Sequence, residues 1–218
     1  MNSLGAMKKE NEVEIIDITK KTDYEKYLFK CLAPMPFRKY KRRREYLSGA
    51  IPQGFRKKLL IFSGDIIGTI EYAPAQVSRF PIIGDNIIVM NCIWILRRAK
   101  GHNLGKYLLN SMIESEKNAT GFATIALENH WSPWMKKDQM ERLGFKPIDS
   151  IKLKHKMKHM NQIITVYFMW LPKTKNAQPP TWNTEKLLEG VNFCMGHPLY
   201  NPENLKRKQI YKNSDNKH

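Results

Sequence analysis

Three cysteines in 218 residues are too few for a disulfide framework. Cys31, Cys92 and Cys194 also show no pairing pattern, so a small disulfide-stapled secreted scaffold is excluded and a reducing cytoplasm is the expected setting. No apolar run approaches the ~20 residues that cross a bilayer. The opening MNSLGAMKKENEVE lacks the apolar segment of a signal peptide, so no membrane role is expected. Acid is scarce too: 20 Asp and Glu stand against 37 Lys and Arg, giving a net charge of +17 and a pI of about 9.8. Such a surplus draws in anions and speeds their encounter. A polyanionic ligand, nucleic acid, a ribosomal surface or an acidic substrate are the partners it suggests. The basic residues gather at 38–44, 152–158 and 206–217, each of which also reads as an ordinary solvated face. Metal ligands are thin: Cys194 and His197 are only two, and His155 and His159 do not complete a set. No metal is expected.

The chain has enough apolar content, 42%, for a packed core, and one domain with an extension is the economical organisation. The expected boundaries are a flexible N-terminus over 1–11, a domain over 12–172 and an extension over 173–218. The extension opens with the linker KTKNAQPP and ends in a dozen polar residues. Its Trp182, Leu187, Leu188, Phe193 and Tyr200 predict packing on the core or on a second subunit, as in a homodimer.

Residues 90–109, MNCIWILRRAKGHNLGKYLL, carry the most information. An apolar strand breaks into a basic loop with two glycines and an asparagine. Leu104, Leu108 and Met112 then recur with helical spacing. A helix start presents main-chain N–H groups without partners, and its dipole favours negative charge there. Lysines and arginines in the loop add whole charges, so a phosphorylated ligand is expected. The spacing excludes two common phosphate loops. Gly101 and Gly105 enclose three residues, not the four of a P-loop, and Lys106 is followed by Tyr107 rather than Ser or Thr. A Rossmann loop needs G-x-G-x-x-G, which Gly101, Asn103 and Gly105 do not supply.

The order is similar to that of the GNAT superfamily of acyl-coenzyme A-dependent N-acetyltransferases. That family places Arg-Gly-x-Gly-x-Gly/Ala after an aliphatic strand end, here Ile95. The motif falls on Lys100, Gly101, His102, Asn103, Leu104 and Gly105. Lys100 keeps the charge of the usual Arg without its planar fork. Asn103 replaces the middle glycine and is the side chain that best tolerates a left-handed backbone. The flanks agree: a hairpin over 57–72 with a turn at Ser63-Gly64-Asp65, a strand over 121–127, and a helix predicted from Ser132-Pro133 that stops at Leu143-Gly144-Phe145. The resemblance covers about residues 12–172. It implies an α/β (α+β) fold with a mixed, mostly antiparallel central sheet, flanked by helices and splayed at the coenzyme strand.

By that resemblance, acetyl-CoA is the cosubstrate and a primary amine, on a small molecule or a peptide, is the acceptor. The diphosphate would be gripped from Lys100 to Lys106, and the pantetheine arm would lie along the main chain of Cys92, Ile93, Trp94 and Ile95. One N–H there would polarise the thioester carbonyl. Asn129 matches loosely the family's Asn that contacts the arm. Glu71 and Glu128 are the candidate bases; the structural alternative for Glu71 is a strand residue on a wet face. His130 beside Trp131 reads as packing, and Cys92 as inert core. Where the family often has a proton-donating Tyr, this chain has Met140, which leaves three alternatives: the coenzyme thiolate departs without a dedicated acid, another group such as Tyr72 or Tyr107 substitutes, or the chain does not catalyse. By the same resemblance the segment after the first strand would wall the acceptor site, with Arg38, Arg42 or Arg43 meeting an acidic group. Two rivals stand beside catalysis: a CoA-binding module without turnover, and a basic protein bound to nucleic acid or the ribosome.

Overall fold

The computed structural model describes residues 12–30, 32, 41–78, 80–131, 133–155, 162–188 and 211–214. Cys31, Arg38, His159, Cys194 and His197 lie outside these residues, as do the side chains of Arg42, Arg43 and His155.

Among the described residues, ten strands and five α-helices follow in order: β1 (Val13–Asp17), α1 (Glu25–Leu28), α2 (Lys41–Ala50), β2 (Arg56–Phe62), β3 (Asp65–Pro74), β4 (Ile82–Ile83), β5 (Ile87–Ile95), α3 (Leu104–Ser115), β6 (Gly121–Glu128), α4 (Lys137–Arg142), β7 (Lys146–His155), β8 (Ile163–Pro172), β9 (Thr181–Trp182), α5 (Thr184–Leu188) and β10 (Tyr211–Asn213). Eight strands form one sheet in the order β1-β2-β3-β5-β6-β8-β7-β10, and β4 pairs with β9 separately. Every pair in the large sheet is antiparallel except β5 with β6. The mixed, mostly antiparallel sheet that the resemblance implies is therefore the sheet observed.

Side-chain alternation along the strands sorts them between two helical layers. Leu59 and Ala73 pack with Leu28, Leu47 and Phe55 on the α1/α2 face. Lys58, one residue before Leu59, turns to the other face, where its ammonium donates to the carbonyl and hydroxyl of Ser111 and to the hydroxyl of Ser115 on α3. Burial lowers the Lys58 pKa. Strand β5 is an unbroken apolar run because both faces are covered, and its first seven residues are all buried.

Two helices start later than the sequence suggests. The first, for which Thr22 is a good N-cap residue type, runs only over Glu25–Leu28 as α-helix, after a 3-10 turn at Thr22–Tyr24. The second matters more: α4 begins at Lys137, not after Ser132-Pro133. Met135 takes a left-handed φ of 48°, and its carbonyl accepts a hydrogen bond from Leu127 N–H at 2.8 Å. The pull of Trp134 and Met135 into the core outweighs local helix signals there.

Gly121 shows how tightly the start of β6 is packed. A Cβ there would stand 2.1 Å from Cη2 of Trp170 and 2.6 Å from its Cζ2. Gly121→Ala is predicted to cost about 1–3 kcal/mol through overpacking, read as a lower urea midpoint with an unchanged m-value. Among the described residues, no helix is long and apolar enough to cross a membrane.

Candidate active site

The site is made where β5 and β6 part. They pair only at Ile87–Gly121, Ile88–Phe122 and Val89–Ala123. Beyond that point β6 continues against β8 as far as Glu128, while β5 continues against β3 as far as Ile95. The cause is visible in the register: Tyr72 faces Met90 but Glu71 faces Cys92, so Asn91 is an extra residue on β5. A bulge of this kind bends its strand and sharpens its twist. Asn91 is fully buried and its amide donates to Ser78 Oγ at 2.8 Å, which holds the bulge in place.

The two diverging edges are not equivalent. Leu127 N–H on the β6 edge is taken by Met135, and Lys136 bridges Leu127 in parallel. Among the described residues, the β5 edge is open. Leu96 N–H donates to Ile67 on β3, and main-chain groups alternate sides along an antiparallel ladder. Trp94 therefore points its main chain at β3, and Ile93 and Ile95 point theirs into the wedge. The Trp94 indole N–H is also buried without an acceptor among the described residues.

At the wide end of the wedge the chain makes a 3-10 turn, Arg97–Ala99, and then the glycine loop. Gly101 has φ 98° and Asn103 φ 55°, so the asparagine does adopt the left-handed backbone required of it. No side chain caps α3. Lys106 N–H folds back to the Asn103 carbonyl, whereas the N–H groups of residues 101–105 find no acceptor among the described residues. Leu104 anchors this turn in the core, and the His102 ring packs on Phe62 at 5.0 Å between centroids. Arg97, Arg98, Lys100 and Lys106 are all exposed. Among the described residues, only Arg98 of these four has an acidic partner, Asp65 at 3.3 Å. The result is a row of five free amides within a cluster of cations, continuous with an open strand edge.

The carboxylates are less free than the sequence suggests. Glu71 is not on a wet face. It is 2% exposed and lies 2.9 Å from Lys57 Nζ, itself wholly buried. Lys57 also donates to the Lys30 carbonyl at the end of α1. Glu128 accepts from the Tyr167 hydroxyl at 2.9 Å and sits 3.6 Å from Lys137 on α4. Glu71 shares the α1/α2 face with Cys92, while Glu128 packs toward α4, whose following Leu143 lies beside Gly105 of α3. The two acids thus occupy opposite faces of the sheet and do not meet. Asn129, left-handed at φ 57°, ends β6 with its carbonyl accepting from Gln162.

The Met140 side chain is buried. Tyr72 is buried opposite Met90, toward the closed end of the wedge, and burial pushes its hydroxyl pKa up. Tyr107 is half exposed on α3. Three features escape a reading of the sequence: the Lys57–Glu71 pair, the bulge at Asn91, and the return of residues 134–136 into the wedge. Only Asn91 leaves a signal, as the one amide in an apolar strand.

No family model matches the chain, and no curated protein matches it in sequence. Solved structures do match. A protein of Acinetobacter baylyi ADP1 assigned as an acetyltransferase aligns with TM-score 0.53 and 13% identity, over 78% of this chain and 97% of its own. One from Desulfovibrio desulfuricans, assigned to the GNAT family, aligns with TM-score 0.51 and 12% identity, over 74% and 99%. A Bacillus anthracis protein assigned as a streptothricin acetyltransferase, in complex with acetyl coenzyme A, aligns with TM-score 0.43 and 15% identity over 56% of this chain; the alignment spans 64% of that protein. This chain has the GNAT N-acetyltransferase fold.

Proposed function

We propose that this protein transfers an acetyl group from acetyl-CoA to a primary amine by direct attack. One observation carries the reading: the open β5 edge at Ile93 and Ile95 runs straight into the uncapped amides of residues 101–105. A diphosphate suits the second and an amide-bearing arm suits the first, and the two are joined as they are in coenzyme A. Lys100 and Lys106 add charge beside the helix mouth. The cosubstrate supplies the activated acyl group as a thioester. The chain orients it: Ile93 and Ile95 offer main-chain donors and acceptors, and a donor aimed at the carbonyl oxygen stabilises charge that develops during attack.

Glu128, two-fifths exposed at the end of β6, is the proposed proton acceptor, acting through water. Glu71, held by Lys57, offers fixed negative charge on the α1/α2 face. The departing sulfur needs no dedicated acid, because a thiol with a pKa of about 8–9 leaves as thiolate near neutral pH.

Two measurements test this. Acetyl-CoA at about 100 times its Kd should add about 2.7 kcal/mol of stability, raising the melting temperature by several degrees. With a panel of amines, free thiol should then appear only when both substrates are present. Stabilisation without thiol release from any amine would favour the CoA-binding module, a reading that Met140 also suits. No stabilisation would contradict both.

A further inference from the structure

The connection between β6 and α4 closes the wedge as well as lining it. Trp134 and Met135 are 6% and 1% exposed. The Trp134 indole N–H donates to Cys92 Sγ at 3.2 Å, so the ring crosses from the β6 side to the first β5 residue past the bulge. Just below, the Thr124 hydroxyl on β6 donates to the Met90 carbonyl at 2.7 Å and ties the strands together. Between these two bonds the wedge has a floor. The open edge begins at Ile93, one residue above it.

A ligand whose diphosphate sits at residues 100–105 and whose arm follows Ile95 and Ile93 enters acyl end first. That end meets the indole. We propose that Trp134 sets the length of acyl chain the site accepts, admitting acetyl and rejecting chains of six or more carbons. The proposal rests on the acyl-CoA reading above and adds a selectivity that the reading does not contain. Trp134 suits the role because it is rigid and pinned. An indole has two rotatable bonds, its N–H is bonded to Cys92, and the neighbouring Met135 carbonyl is fixed by Leu127 N–H. For a longer chain to fit, the ring must leave a buried position and give up that bond.

The test is calorimetric binding of CoA, acetyl-CoA and hexanoyl-CoA to the full chain and to its Trp134→Ala and Trp134→Leu variants. Free CoA has no acyl group, so each acyl affinity is read as a ratio to it. In the native protein, hexanoyl-CoA should bind at least tenfold more weakly than acetyl-CoA. In whichever Trp134 variant stays folded, that ratio should fall to threefold or less. Cys92→Ala, which removes the sulfur but leaves the indole, should keep most of the discrimination. Equal binding of the two acyl forms by the native protein would overturn the proposal, and so would discrimination that survives in both Trp134 variants. If the native protein bound no CoA at all, the acyl-CoA reading itself would fall, an outcome distinct from either of these.

Discussion

Lys57→Met is expected to lower the unfolding free energy by about 3–5 kcal/mol. Methionine follows the lysine stem as far as Cε and nearly fills its volume, so the loss is chiefly electrostatic. The wild-type ammonium, wholly buried, lies 2.9 Å from the Glu71 carboxylate and 2.7 Å from the Lys30 carbonyl. Without it, the Glu71 carboxylate loses the ammonium that faces it in a site it cannot leave, and removing one partner of a buried ion pair is strongly destabilising. The double variant Lys57→Met/Glu71→Leu should recover most of the loss, because neither charge then has to be desolvated. Denaturant unfolding of the wild type, both single variants and the double variant gives the coupling directly. A value under about 1 kcal/mol would mean that the two groups do not form a buried pair. The Lys30 contact adds a functional consequence. It ties the end of α1 to the sheet, so the folded Lys57→Met protein should lose amine affinity while keeping its CoA affinity.

Gly105→Glu should separate stability from binding. A Cβ at Gly105 would meet only Leu143 Cδ2, at an ordinary 3.5 Å, so the fold has room for it. Replacing glycine inside a helix gains up to about 1 kcal/mol in propensity. An acid in the first turn adds about 0.3–1 kcal/mol through the helix dipole. The variant should therefore melt no lower than the wild type. Its carboxylate, however, would stand at the mouth where the diphosphate is proposed to sit and compete for the same amides. At ~4 Å and an effective dielectric of ~20, like charges repel by about 4 kcal/mol before screening, so CoA affinity should fall at least tenfold. Thermal melts and calorimetry on one preparation read both effects. Undiminished CoA affinity would place the diphosphate elsewhere.

Much of the frame was legible because local signals and the fold agree. The apolar run into β5, the turn at Ser63-Gly64 and the leucine spacing of α3 each encode an element without outside help. Asn103 is the sharpest case: a residue that tolerates a left-handed backbone stands where one is needed. The failures share one cause, which is that tertiary contacts decide them. Ser132-Pro133 has the chemistry of a helix start, yet α4 waits until Lys137 because Trp134 and Met135 are drawn into the gap beside β5. Glu71 sits between Ile70 and Tyr72 in a strand, and nothing local reveals that Lys57 on the next strand faces it. Strands β9 and β10 are too short for periodicity to mark them. The open edge of β5 is likewise invisible in sequence, since it depends on where β6 stops pairing.

The most direct measurement is an amide-resolved NMR titration of the 15N-labelled protein with coenzyme A. The amides of Gly101, His102, Asn103, Leu104 and Gly105 are expected to shift together with those of Ile93 and Ile95, while the β3-facing amide of Trp94 responds less. Inorganic pyrophosphate should move the first group alone. Saturable binding of coenzyme A that left residues 101–105 unmoved would rule out the mouth of α3 as the diphosphate site.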